Sequence, residues 1–238
     1  MSGARLQRIL ALLATHDDSA HNVARLCDVA AVATSMNGAG FMLMSGDTSR
    51  GSLCSSNAVS ELLEDLQFTL GEGPCIDAFN QAQPVLEPDL ADPATPRWLA
   101  FSPPAIKAGV AAVFGFPIQI GVARLGSLNL YRDRPGELSD DQLADALVMA
   151  DVAARTVIAM QAEAPPGAVA DEIESGADFR FVVHQASGMV SGQLGVSVTE
   201  ALVRMRAYAF RHNRLLDDVA NDVVSRSLRL QANSEDES

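Results

Sequence analysis

Lysine is almost absent from this chain: Lys107 is the only one in 238 residues, so its fixed positive charge is carried by arginine, in keeping with a GC-rich genome. Cysteine is nearly as scarce. Cys27, Cys54 and Cys75 make an odd set with no CxxC spacing, which argues against a disulfide framework and a cysteine-rich zinc site and for a reducing cytoplasm. No uncharged apolar run reaches the roughly 18 residues of a membrane span. The N-terminus, MSGARLQRILALLATHDDSA, lacks an apolar core followed by a small-residue cleavage site, and reads as an amphipathic helix rather than a leader. There are four histidines, His16, His21, His184 and His212, and none falls in the strand-like region.

What is present is a globular composition, 48% hydrophobic with mean hydropathy +0.12, long enough for one large domain or two modest ones. Charge divides it. Residues 1–177 carry ten basic and 22 acidic side chains, whereas residues 178–230 carry seven arginines and five acids. The tail 231–238 adds three acids. An acidic body bearing a small arginine-rich module implies two domains with different partners. The stretch 162–178, with Pro165-Pro166-Gly167 and five acids, marks the boundary. No internal repeat is found. The reading is therefore a first domain over 1–163, an acidic linker over 164–177, a second domain over 178–230 and a disordered acidic tail over 231–238.

Before the linker the order is helix, sheet, helix. Leu6, Ile9, Leu10 and Leu13, then Val23, Leu26, Cys27, Ala30 and Ala31, recur three and four apart. GAGFMLMSGD is a short buried-strand pattern, and GVAAVFGFPIQIGVARLGSLNLYRDR reads as strand, turn, strand, with alternation at Ser127, Asn129 and Arg132. SDDQLADALVMADVAARTVIAMQ opens on a Ser139 or Asp140 cap and spaces Leu143, Leu147, Ala150, Val157 and Ile158 at helical intervals. A mixed sheet flanked by helices is expected, and with the helical second domain this makes the chain α+β.

The run GVARLGSLNLYRDRPGELSDDQLADALVMADVAA resembles the last two strands and closing helix of a GAF domain. GEGPC, residues 71–75, resembles a loop that marks bacterial GAF domains fused to RNA-binding modules; the likeness covers roughly residues 20–162. Three readings of that loop compete. A phosphate cradle fails because no GK[ST] comes after it. A nucleophilic or redox-sensing Cys75 lacks a nearby base in sequence. The glycines permit positive φ and Pro74 stiffens the residues after it, so Gly71, Gly73, Pro74 and Cys75 are expected to shape or lid the GAF cavity, with Cys75 a packed thiol. The resemblance implies a small-molecule effector, which it does not name. No run of the NKFDE type points to a cyclic nucleotide, and no cofactor or metal is expected.

The second domain shows three apolar stripes. They are Phe179, Val182, Val183, Ala186 and Val190; Ala201, Leu202, Met205, Tyr208 and Ala209; and Leu216, Val219, Ala220, Val223 and Val224. Gly195 ends the first stripe, Ser197 and Glu200 form an S-x-x-E start for the second, and Asp217, Asp218, Arg226 and Arg229 suit the dipole of the third. Stripes of this length imply a three-helix bundle. Ala186 and Gly188, then Ala201, Met205, Arg206 and Ala209, then Asn213, Leu216, Val219 and Ala220, resemble the ANTAR domain, the RNA-binding output module of transcription antitermination regulators. Ser187 stands where that family usually has lysine.

The resemblance implies RNA hairpin loops in mRNA leaders as partner, with contacts from Gln185, Ser187, Gly188, Arg204, Arg206, Arg211, Asn213 and Arg214. It also implies a cytoplasmic homodimer and no catalysis. Two other readings stay open. LGVS at 194–197 is similar to the turn of a DNA-binding helix-turn-helix, and Cys75 would serve a redox sensor.

Overall fold

The computed structural model describes residues 2–14, 24–45, 48–92, 94, 96–163, 178–179, 181–212 and 214–230. The expected linker, the acidic tail, His16, His21 and Asn213 lie outside the described residues. The chain divides into two compact units, Met1–Phe68 with Glu72–Phe179, and Thr69–Gly71 with Arg180–Ser238.

In the first unit β1 (Gly38–Ser45), β2 (Thr48–Ser55), β3 (Val85–Glu87), β4 (Ala112–Ile120), β5 (Ala123–Arg132) and β6 (Asp178–Phe179) form one sheet in the order β3-β4-β5-β1-β2-β6. Every described pairing is antiparallel, where a mixed sheet was expected. The β4–β5 hairpin turns at Gly121, whose φ of 58° suits a residue without Cβ. Phe179, expected on a helical face, is instead in strand β6.

Successive side chains of a strand point to opposite faces, and the two faces here have different chemistry. Ala39, Phe41 and Leu43 of β1, Phe114, Phe116 and Ile118 of β4, and Leu128 and Leu130 of β5 share one apolar core with α1 (Ser2–Ala14), α2 (Ala24–Thr34) and α6 (Asp140–Glu163). Ala146, Met149, Ala150, Ala153 and Val157 are the buried stripe of α6, whereas Leu147 and Ile158, expected on that stripe, are 47% and 40% exposed. Ser139 caps α6: its hydroxyl accepts from Gln142 N–H at 3.2 Å, and Gln142 Oε1 accepts from Ser139 N–H at 3.1 Å. Arg5 and Arg8 fasten α1 to α6 through Asp145, at 3.0 and 2.6 Å.

The opposite sheet face carries Gly40, Gly115, Ser127 and Asn129 and is covered by α3 (Ala58–Leu70) and α4 (Pro74–Gln81). A Cβ on Gly40 would stand 2.6 Å from Oε1 of Glu64, so glycine is what lets α3 close on β1.

The second unit is a bundle of α7 (Phe181–Leu194), α8 (Val198–Arg211) and α9 (Leu216–Val224). Val183, Ala186, Val190, Ala201, Met205, Ala209, Leu216, Val219, Ala220 and Val223 are all fully buried, which matches the three sequence stripes apart from their edge positions. Gly195, at φ 67°, takes the C′ place after α7, and its N–H donates to Ser191 O at 2.9 Å. Ser197 caps α8 by accepting from Glu200 N–H at 3.1 Å. α9 stops at Val224, so Arg226, at φ 62°, lies beyond the helix rather than in its last turn.

Candidate nucleic-acid interface and sensor core

The GEGPC residues are held in place from several directions. Gly73 has φ 135° and precedes Pro74 at the first position of α4, where a missing N–H costs nothing. Glu72 Oε1 accepts from the backbone N–H groups of Ala100 and Phe101 at 2.7 and 2.8 Å. Asp77 Oδ2 accepts from Arg97 at 3.1 Å and from Trp98 Nε1–H at 3.0 Å. Glu72 within the motif and Asp77 just after it thus both tie down the 97–101 segment.

Cys75 is fully buried. Its N–H donates to Gln67 Oε1 at 2.7 Å, and its carbonyl accepts from the Ser127 hydroxyl at 2.8 Å. Burial, and then the nearby Glu64, push its thiol well above the ordinary range, so it is held protonated at neutral pH. Around it Glu64, Gln67, Ser127 and Asn129 form a polar layer no more than 2% exposed, in which Asn129 Nδ2 lies 3.3 Å from Glu64 Oε1. Gln67 Nε2 and Asn129 Oδ1 have no hydrogen-bonding partner there. The alternation at Ser127 and Asn129 therefore marks a buried polar surface under α3, not a solvated one. Among the described residues no group of three or more His, Cys, Asp or Glu is placed to hold a metal ion.

One sequence reading is overturned. Cys27 of α2 and Cys54 of β2 are joined by a disulfide, with their Cα atoms 6.0 Å apart. A count of three suggested no bond, but the fold packs α2 on the sheet face beneath β2 and brings two of the three together.

In the helical unit the expected contact residues separate into groups. Gln185 and Gly188 are exposed on α7. Ser187 is 1% exposed and its hydroxyl turns back to His184 O at 2.8 Å, so the expected contact from this position is corrected: it presents no side chain to a phosphate backbone. On α8, Arg211 is exposed and Arg204 pairs with Glu200 at 2.6 Å one turn away. Arg206 is half-buried, and that burial lowers its guanidinium to about 10, still protonated at neutral pH. Arg214 pairs with Asp222 at 2.7 Å, which holds the Asp222 carboxyl below its ordinary value.

One aromatic feature escaped the sequence reading, and a second, Tyr208, departs from the core position that its apolar stripe predicted. Phe210 is 63% exposed between the buried Ala209 and the exposed Arg211. Tyr208 stacks on His212 with ring centres 4.0 Å apart, leaving both at the surface end of α8. Phe210 lies off the apolar stripe, and that offset was the available signal.

A family model described as a GAF domain matches residues 21–157, and one described as an ANTAR domain matches residues 171–224. No curated protein matches the chain. Among solved structures, the GAF domain of a phosphoenolpyruvate-protein phosphotransferase from Coxiella burnetii is similar, at 14% identity and TM-score 0.51, over 68% of this chain and 95% of that one. The corresponding GAF domain from Acinetobacter is similar at 15% identity and TM-score 0.51, over 69% and 97%. At such identities the likeness is one of fold. No described helix is long and apolar enough to cross a membrane.

Proposed function

On the premise that the chain belongs to the GAF domain family and carries an ANTAR domain behind it, we propose that it is a signal-responsive regulator that binds hairpin loops in nascent mRNA. Binding would hold a hairpin that competes with a terminator, letting transcription continue. The observation that carries this reading is the outer surface of α8, where Arg204, Arg211 and Phe210 lie outside the core of a bundle matched by the ANTAR model. Guanidinium groups bind phosphate bidentately and stack on splayed loop bases, and an exposed aromatic ring adds a stacking surface. Arg214 and Arg206 complete the basic set, and Asn213 and Gln185 extend it.

The GAF unit supplies control. We assign the small polar effector to the layer beneath α3 and α4, where Gln67 Nε2 is a donor and Asn129 Oδ1 an acceptor without a partner in the protein. Gly73, Pro74 and Cys75 of the GEGPC loop border that layer. Leu10 of α1, Val32 of α2, and Leu147 and Ile158 of α6 are exposed on the helical side, which supports a homodimer through these helices. A partner made during transcription places the protein in the cytoplasm. No catalysis belongs to this reading, since the protonated Cys75 thiol is a poor nucleophile.

One titration tests it, with the full chain against a paired-hairpin RNA and a duplex DNA of matched length and charge. Tighter binding to the RNA by tenfold or more is expected. Equal or stronger binding to the duplex would replace this reading with a DNA-binding regulator.

A further inference from the structure

We propose that Cys27 and Cys54 are a reversible thiol–disulfide pair through which a peroxide-class oxidant acts on the sheet edge that leads into the C-terminal module. The observations are geometric. Cys27 lies on α2 and Cys54 on β2, and the bond between them fastens the helical layer to that strand. β2 is irregular: Phe41 pairs with Cys54 but Met42 with Ser52, so Leu53 is bulged out of the ladder beside the disulfide, and there is a second slip at Leu43/Met44. On its other edge β2 pairs Ser52 with Asp178 and Gly51 with Phe179. Strand β6 is thus held by residues two and three positions from Cys54, and the chain enters α7 at Phe181.

The two sulfurs differ in access. Cys54 is half-buried whereas Cys27 is fully buried, so Cys54 is the sulfur an oxidant or reductant reaches first. Its thiolate attacks one oxygen of hydrogen peroxide, forming a sulfenic acid and releasing hydroxide, which takes up the thiol proton as water. Cys27 then displaces the sulfenic oxygen, which leaves with one proton as a second water, and the S–S bond forms. In sum two thiols and one peroxide give one disulfide and two waters. A dithiol reductant reverses the step by thiol–disulfide exchange, leaving two thiols here and a disulfide on itself. A bond of this kind in a reducing compartment is transient and regulatory. Cys75 plays no part, being fully buried and hydrogen-bonded on the opposite sheet face.

This adds a signal to the regulatory reading above, and its test uses neither RNA nor an effector. The purified full chain is treated with dithiothreitol or with one equivalent of hydrogen peroxide, alkylated while folded, and mapped by mass spectrometry alongside amide hydrogen exchange. Cys54 is expected to alkylate in the reduced chain and to be protected after peroxide. Amides of 51–54 and 178–179 are expected to exchange at least fivefold faster in the reduced chain, and equally fast in Cys54→Ser with or without peroxide. The reduced wild type makes the same comparison should Cys54→Ser fail to fold. A disulfide that resists dithiothreitol in the folded chain, thiols that stay free under peroxide, or exchange rates indifferent to redox state would each overturn the proposal. RNA affinity is measured separately. Redox-dependent exchange without RNA binding in either state would sink the functional reading and leave the switch standing.

Discussion

The backbone N–H of Cys75 donates to Oε1 of Gln67 at 2.7 Å, deep between α3 and α4. That bond makes the start of α4 depend on a side chain of α3, eight residues earlier. Gln67→Leu removes the acceptor and leaves a buried N–H without a partner, so a loss of about 1–3 kcal/mol in urea unfolding is expected. Cys75→Ala removes only the sulfur and should cost about 1–2 kcal/mol. In reducing buffer it should leave RNA affinity unchanged. Stoichiometric peroxide modification of Cys75 in the folded chain, tied to altered RNA binding, would make the thiol a sensor after all.

The Cys27–Cys54 bond closes a loop with a sequence separation of 27. In the chain-entropy account a loop of that size stabilises by about 3.5 kcal/mol, because the unfolded chain is constrained. Chemical denaturation of the first unit in oxidised and reduced buffer should differ by a value of that order. Identical midpoints would mean that the bond does not persist in solution.

Most of the second unit was legible because its helices are short, amphipathic and separated by Gly195 and by the break between Arg211 and Leu216. The periodicity alone placed Val183, Met205 and Val219 in one core. Burial at the edges of a stripe was not legible. Ser187 comes directly after a stripe residue and is buried with it, while Leu147 looks like core and faces outward, because α6 packs through alanines and Met149. In the first unit the alternation of β5 was visible, but Ser127 and Asn129 face a second helical layer while Arg132 lies over Phe114 on the other face, and only tertiary structure shows that α3 brings its own polar side chains to meet the first two. The disulfide was invisible for a similar reason, since pairing depends on which helix covers which strand.

Asp222 gives a pH signature. The hydrogen bond from Arg214, and then one from Ser227, lowers the Asp222 carboxyl in the folded state, whereas in the unfolded chain it titrates near the ordinary value of about 3.9. A carboxyl lowered on folding adds stability above its unfolded value and loses it as pH falls through the lower folded value. Asp222→Asn should therefore be less stable than wild type at pH 7, and the difference should shrink as pH falls through and below the ordinary carboxylate range. A difference that persisted in acid would exclude the ion pair as its cause.

Assembly can be tested on α6. Leu147 and Ile158 flank the exposed Asp151–Arg155 pair, which closes at 2.9 Å, at spacings that place all four on one outward stripe. Joined to Leu10 and Val32, this stripe predicts a dimer in light scattering at micromolar concentration. Leu147→Glu with Ile158→Glu should give monomers with unchanged helical content. A wild-type monomer would remove the idea.

The arginines of α8 and the turn after it carry the RNA prediction, and they should not act alike. Arg211 is exposed, whereas Arg204 and Arg214 must exchange Glu200 and Asp222 for phosphate. Arg211→Ala should lower the slope of log affinity against log salt by about 1, with smaller changes from Arg204→Ala and Arg214→Ala. Arg206→Ala should weaken binding most, because a guanidinium already partly desolvated pays less to meet an RNA loop. Phe210→Ala should cost about 1–3 kcal/mol if one loop base stacks on that ring, with little effect on the salt slope. Ser187→Lys has the opposite expectation from the one its family position invites. A lysine at a site 1% exposed should destabilise the chain by about 1–3 kcal/mol rather than add a phosphate contact. Filter binding across a salt series, with circular dichroism as the folding control, reads all six variants. If none of the arginine variants changes hairpin affinity while helical content is kept, RNA does not bind through α8.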